Sequence, residues 1–480
     1  MKKQTIGLFA ACLLASAVLL LLCSQCSPLY PTNVWADANC LLTVGRVMKA
    51  GGVVYRDIYE QKGPTLYLIN MLAACISDTG FLGVYVMEVL SFAAALFLAC
   101  RIAMRRSDAL VSFGCAALVG ACVLIGQSFS RGDSAEEFCL PFLMAALYAA
   151  FGEYGDKKGP MQPRALFLCG VMAGLVATIK FTVLGLFVGL CAAEGVLALK
   201  AGGLKRAFVS AGAFLAGMLL PVLAWCAYFA AHGALADFYT AYIHNNVFLY
   251  TDETRTFVDV LRDIWHMLRG NLAWVIPVAL GKMAFLFGRK ESLQLKACVM
   301  AMGAGAFAAV FLLGRTWFYS PLVLGAFALA WTPSLLAGIR LSAGKARVAA
   351  AVCCALAVGF AFLSPNSFLR GVSPDKLAQD RLAKFVHPGA MLLQYSHLDD
   401  GLYLASGTLP IDRYFCRLNV SLEEMDQALD ASVEAAKTDY VLVSWEKLPQ
   451  RFDGYQLIAE DVGYDDDGRL NKMLYLYRRK

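Results

Sequence analysis

Long apolar runs separated by short polar connections set the pattern of this chain over most of its length. Crossing a hydrocarbon layer of roughly 30 Å takes about 20 helical residues, and about eleven runs approach that length. They fall near residues 6–26, 79–103, 108–127, 137–151, 165–179, 181–199, 207–231, 272–288, 297–313, 318–339 and 346–364, the fifth and sixth separated by little more than Lys180. A shorter run, 64–77, opens with Pro64 and predicts an interfacial or re-entrant helix. Beyond Pro365 the pattern changes. MLLQY (391–395) and DYVLVSW (439–445) read as buried strands, 421–437 as a helix, and 455–478 as a hairpin turning at Asp465-Asp466-Asp467-Gly468. Together these predict an all-α polytopic membrane domain over 1–364 and an α/β domain over 365–480.

Composition sharpens this picture. Hydrophobic residues make up 59% of the chain and charged ones only 16%, where a soluble domain carries about a quarter; an ordinary soluble enzyme is excluded. Lys and Arg collect in alternate connections: Lys2 and Lys3; Arg101, Arg105 and Arg106; Lys157, Lys158 and Arg164; Lys200, Lys205 and Arg206; Arg289, Lys290 and Lys296; Arg340, Lys345 and Arg347. Positive connections stay in the cytoplasm, so the N-terminus is expected there and the 365–480 domain outside. The net charge of +6 follows from that topology and does not call for nucleic acid. The long apolar core of the first run and the lack of an A-x-A site predict an uncleaved first span. The sixteen cysteines lie mostly inside apolar runs, where a free thiol behaves as a small hydrophobe. Cys416 alone falls in the C-terminal region, which therefore holds no internal disulfide.

The outer connections hold the candidate chemistry. In the first outer loop, 27–78, apolar residues recur at helical spacing (Leu41, Leu42, Val44, Val47, Met48) with Asn33 or Asp37 as cap and Gly51-Gly52 as stop. This predicts a helix along the membrane surface. A charged turn follows, with Arg56, Asp57, Glu60 and Lys62. Glu136 and Glu137 form a second acidic site, His244, Asn245 and Asn246 lie in a third outer segment, and Arg315 and Tyr319 stand at the edge of the tenth run. Lys180 falls within the bilayer, where an ionisable group needs a partner or a cavity. Carboxylates beside cations at an outer membrane face suit the transfer of a sugar from a lipid phosphate to a hydroxyl. A base takes the acceptor proton, and cationic donors hold the departing phosphate.

Asp37 early in the outer loop, a helix ending in Gly51-Gly52, Tyr55-Arg56-Asp57 and Lys62-Gly63-Pro64 resemble the bacterial polytopic glycosyltransferases of the GT-C fold. That family includes the aminoarabinose transferase of lipid A, the protein O-mannosyltransferases and the rhizobial lipopolysaccharide galacturonosyltransferases. The resemblance covers approximately 1–364. It implies an inverting hexosyl or pentosyl transfer from a polyprenyl-phosphate donor, outside the cytoplasm, to a cell-envelope glycan, glycolipid or protein. By position it makes Asp37 the catalytic carboxylate, Lys62 the lysine facing the donor phosphate, and Glu136 and Glu137 the second acidic site. Gly63 stands where the family motif has a proline, a departure expected to loosen the turn.

Each residue has a plainer role available. Asp37 can cap its helix, Arg56 and Asp57 can pair with each other, Lys62 can reach lipid headgroups, and Glu136 and Glu137 can favour a helix N-terminus. His244 and Asn245 suit acceptor hydroxyls or an ordinary loop; Arg315 and Tyr319 suit the donor phosphate. No metal ligand set is expected. A divalent cation, Mg or Mn, is compatible with carboxylates meeting a phosphate but not required. The alternative from another class, a transporter or lipid flippase, would be marked by interrupted helices in corresponding halves, and the sequence has no such symmetry.

Overall fold

The computed structural model describes residues 2–155, 159–250, 255–288, 291–313, 315–337, 341–465 and 468–480. Lys157, Lys158, Arg289, Lys290 and Arg340 of the basic connections, and Asp466 and Asp467 of the expected hairpin turn, lie outside them. The chain is mainly helical: α1 Lys2–Cys23, α2 Ala36–Lys49, α3 Pro64–Ile76, α4 Leu82–Ala103, α5 Ala109–Leu124, α6 Ala135–Gly155, α7 Pro163–Lys180, α8 Gly185–Ala231, α9 Leu235–Phe238, α10 Phe257–Gly270, α11 Leu272–Phe287, α12 Leu293–Phe311, α13 Gly325–Ala337 and α14 Ala343–Ala361. A wide-turn π segment, Tyr239–Leu249, continues α9.

The expected eleven spans are reduced. Among the described residues six helical stretches are long and apolar enough to cross a membrane, or seven if α10 and α11, bent by 98°, form one broken span. The fourth of these stretches runs 69 residues, from Pro163 to Ala231. At about 1.5 Å per residue it is far longer than one crossing. It breaks at Lys180, before the 3₁₀ turn Phe181–Leu184, and again at Gly202-Gly203, where Gly203 has φ +60°. Three expected spans therefore sit inside one stretch, while α5 and the 320–333 helical run are too short to count alone. Phe208, Leu219, Leu223, Leu280 and Val348 face outward, an apolar exterior suited to lipid.

The C-terminal part forms a four-stranded sheet, ordered β1 (Leu392–Gln394), β2 (Tyr440–Ser444), β4 (Leu470–Arg479), β3 (Tyr455–Tyr464). β1 and β2 are parallel and the other pairs antiparallel; the strands fall in 391–395 and 439–445 as expected, and β3 and β4 form the hairpin expected over 455–478. The amphipathic helix is α17, Glu423–Glu434, following the short α15 (Ala378–Ala383) and α16 (Leu402–Ala405).

The helix expected in the first outer loop is α2, and nearly all of it is buried, Asp37, Asn39, Thr43 and Arg46 included. The C-terminal domain covers it. Thr43 donates to Asp399 Oδ2 at 2.7 Å, Arg46 to the Tyr403 carbonyl at 3.1 Å, and Tyr59 N–H to the Arg413 carbonyl at 2.7 Å. A helix polar on one face and apolar on the other reads alike whether water or another domain meets the polar face. Neither expected residue caps it: Trp35 takes the N-cap position and Asn33 accepts the Trp35 N–H.

Candidate active site

Two ion pairs meet at one cavity. The first is built by α2 and the loop that follows it. Asp37 sits in the first turn of α2, where the helix dipole favours a negative charge. Lys62 ends the loop and donates from Nζ to Asp37 Oδ1 at 2.7 Å and to Glu60 Oε1 at 3.2 Å. The loop is held by its own polar groups. Tyr55, at φ +73°, donates its hydroxyl to the Lys62 carbonyl at 2.6 Å, and Lys62 N–H is shared by Glu60 Oε2 and the Tyr67 hydroxyl. Burial works against the Lys62 charge, but Asp37 and Glu60 outweigh it and hold the ammonium well above the usual lysine range.

Gly63 does not loosen this turn. Its N–H donates to the Ile179 carbonyl at 2.9 Å, and a Cβ there would run into the Thr178 carbonyl. The absent side chain lets the loop lie directly on the end of α7, and Thr65 and Thr178 bridge hydroxyls at 2.7 Å beside it.

That end of α7 carries the second pair. Lys180 donates to Glu136 Oε1, in the first turn of α6, at 2.6 Å, and its Nζ lies 5.1 Å from the centre of the Tyr319 ring. The Arg315 guanidinium stands 5.2 Å from the Trp317 ring, and Trp317 donates its indole N–H to the Tyr250 hydroxyl at 3.0 Å. Asp37, Lys62, Glu136, Lys180, Arg315 and Tyr319 all line a single cavity of about 310 Å³. Apolar residues line it too: Ala306, Ala309 and Val310 of α12 with Leu313, Val247 and Val323. Asn419, from the C-terminal domain, reaches the same cavity.

Other expected residues stand elsewhere. Arg56 and Asp57 pair with each other at 2.7 Å and are largely exposed, outside the cavity lining. Asp57 also accepts the Val53 N–H, and the Arg56 guanidinium beside it holds its carboxyl below the usual range. Glu60 is buried beneath Lys62. Glu137, one residue from Glu136, is absent from the cavity lining because a helix turns successive side chains about 100° apart. His244 Nδ1 meets Asn245 Oδ1, and Asn245 donates to the Tyr59 hydroxyl. Asn246 lines the cavity in their place and donates to the Gln61 carbonyl at 2.7 Å.

No family model matches the chain, and no curated protein matches it. Solved structures do. ArnT from Cupriavidus metallidurans bound to undecaprenyl phosphate superposes with a TM-score of 0.63 at 14% identity, over 98% of this chain and 97% of that one. The apo state of the same protein gives 0.60 at 13%, over 99% and 98%. An Archaeoglobus fulgidus oligosaccharyltransferase matches more loosely, with a TM-score of 0.44 at 11% identity over 99% of this chain and 74% of that one. The chain therefore has the fold of ArnT from end to end, C-terminal domain included.

Proposed function

We propose that this chain is a membrane glycosyltransferase that moves a sugar from a polyprenyl-phosphate donor to a hydroxyl of an envelope glycan, glycolipid or protein on the extracytoplasmic side. The observation that carries the reading is the mixed lining of the cavity, where lysines paired with carboxylates share one space with apolar residues of α12. A ligand with a phosphate and a lipid tail matches both kinds of lining. The shared fold with a protein whose structure holds undecaprenyl phosphate supports the same donor class.

In this mechanism Asp37 takes the proton of the acceptor hydroxyl. The freed oxygen attacks the anomeric carbon from the face opposite the phosphate, so configuration inverts. The bond from that carbon to the phosphate oxygen breaks, and its electron pair leaves with polyprenyl phosphate. Lys62, Lys180 and Arg315 stabilise the charge that develops there. Asp37, Glu60 and Glu136 are each engaged by a lysine. Among the described residues no group of three or more His, Cys, Asp or Glu is placed to hold a metal ion. The charge on the leaving phosphate is assigned to Lys62, Lys180 and Arg315, and no step is routed through a divalent cation.

The test uses purified protein in nanodiscs with a panel of polyprenyl-phosphate monosaccharides and crude envelope as acceptor. Release of polyprenyl phosphate from at least one donor, lost in Asp37→Asn with folding intact, supports the reading. Wild-type turnover in that variant removes Asp37 from the role of base.

A further inference from the structure

Two residues that line the cavity carry a buried acceptor atom with no partner. Gln61, 8% exposed, has a buried Oε1 that accepts no hydrogen bond. Glu136, 1% exposed, uses Oε1 for Lys180 and leaves Oε2 buried and unsatisfied. A buried acceptor left in that state is destabilising, so a chain that keeps two on the residues around one cavity is poised for a ligand that supplies donors. Both atoms only accept. A phosphate or a carboxylate brings no proton to them, and the lysines beside them serve such groups.

We infer that Gln61 Oε1 and Glu136 Oε2 receive hydroxyl protons of the transferred sugar, so that the cavity selects a neutral, hydroxyl-bearing monosaccharide over one with a carboxylate at the contacted position. This rests on the glycosyl-transfer reading and narrows its donor. Gln61 sits one residue from Lys62 and is held by Asn246 through its main chain, which places a sugar-reading group directly beside a phosphate-holding one. That adjacency suits a donor whose sugar and phosphate are joined at a single bond.

The experiment compares wild type with Gln61→Leu, full-length in nanodiscs. Donors are polyprenyl-phosphate neutral hexoses, the corresponding uronic acids and a series of monodeoxy hexoses, and binding of sugar-free polyprenyl phosphate is measured alongside. The expected result has three parts. Wild type prefers a neutral hexose over its uronic acid by tenfold or more. Gln61→Leu loses about tenfold in kcat/KM on that hexose but not on the one deoxy analogue lacking the contacted hydroxyl. Sugar-free polyprenyl phosphate binds both proteins equally, which also reports that the variant is folded. An equal loss on every donor, or a wild-type preference for the uronic acid, overturns the assignment while leaving transfer itself standing. No release from any donor by wild type overturns both.

Discussion

Glu136 and Glu137 are consecutive residues in the first turn of one helix, and they live in opposite electrostatic worlds. Glu136 faces the cavity and holds Lys180 at 2.6 Å. Glu137 faces inward, with both carboxyl oxygens buried and unpartnered, toward Glu88 and Asp133. Asp133 accepts from Asn70 at 3.2 Å, and burial together with Glu88 pushes its carboxyl well above the usual carboxylate range. The front group is an array of charges kept by countercharges; the rear group is a set of buried acids that face one another. A buried carboxylate needs a partner or gives up its charge, so acidic residues alone do not mark the cavity. Their lysine partners do.

The contrast can be tested from its largest expected effect downward. Asp37→Asn removes the proposed base and should lower turnover by about 10²–10⁴-fold; polyprenyl-phosphate release per folded molecule measures it. Lys62→Met leaves Asp37 and Glu60 buried without their cation, a change that typically costs about 3–5 kcal/mol. It should therefore lower the thermal midpoint in detergent as well as activity, and an unshifted midpoint would mean that water already screens the pair.

Asp399, beneath Thr43, offers a third case. Burial pushes its carboxyl up to about 6. The folded form then binds a proton that the unfolded form has already lost, so stability is highest below about pH 4, falls as pH rises toward 6, and stays level above it. Asp399→Asn should abolish that slope, as a melting series from pH 4 to 8 would record. The smallest effect is expected at Glu137→Gln, which keeps the shape of a side chain that pairs with no cation. Turnover should stay within a few fold of wild type, and a drop beyond tenfold would move Glu137 into the reacting group.

Much of the plan was legible in the sequence, and the losses have physical causes. Periodicity located α2, α3, α17 and the strands of the C-terminal sheet, because those signals are local. Asp37, Lys62, Glu136, Lys180, Arg315 and Tyr319 were legible as charges and aromatics at one membrane face, and they share one cavity. The breaks at Lys180 and at Gly202-Gly203 were legible as gaps between apolar runs, whereas the shortness of α5 and of the 320–333 helical run was not. His244, Asn245 and Asn246 were read together, and of the three only Asn246 lines the cavity, because the π segment Tyr239–Leu249 sets which neighbour faces inward. Gln61 offered only its place between Glu60 and Lys62. Asn419 offered nothing, because its approach to the cavity comes from a domain hundreds of residues away in the chain.

Gly63 bears on how the molecule moves. The loop carrying Lys62 rests on the backbone that carries Lys180 with no side chain between them, so the two cations travel as one block. The charged floor cannot open like a pair of jaws.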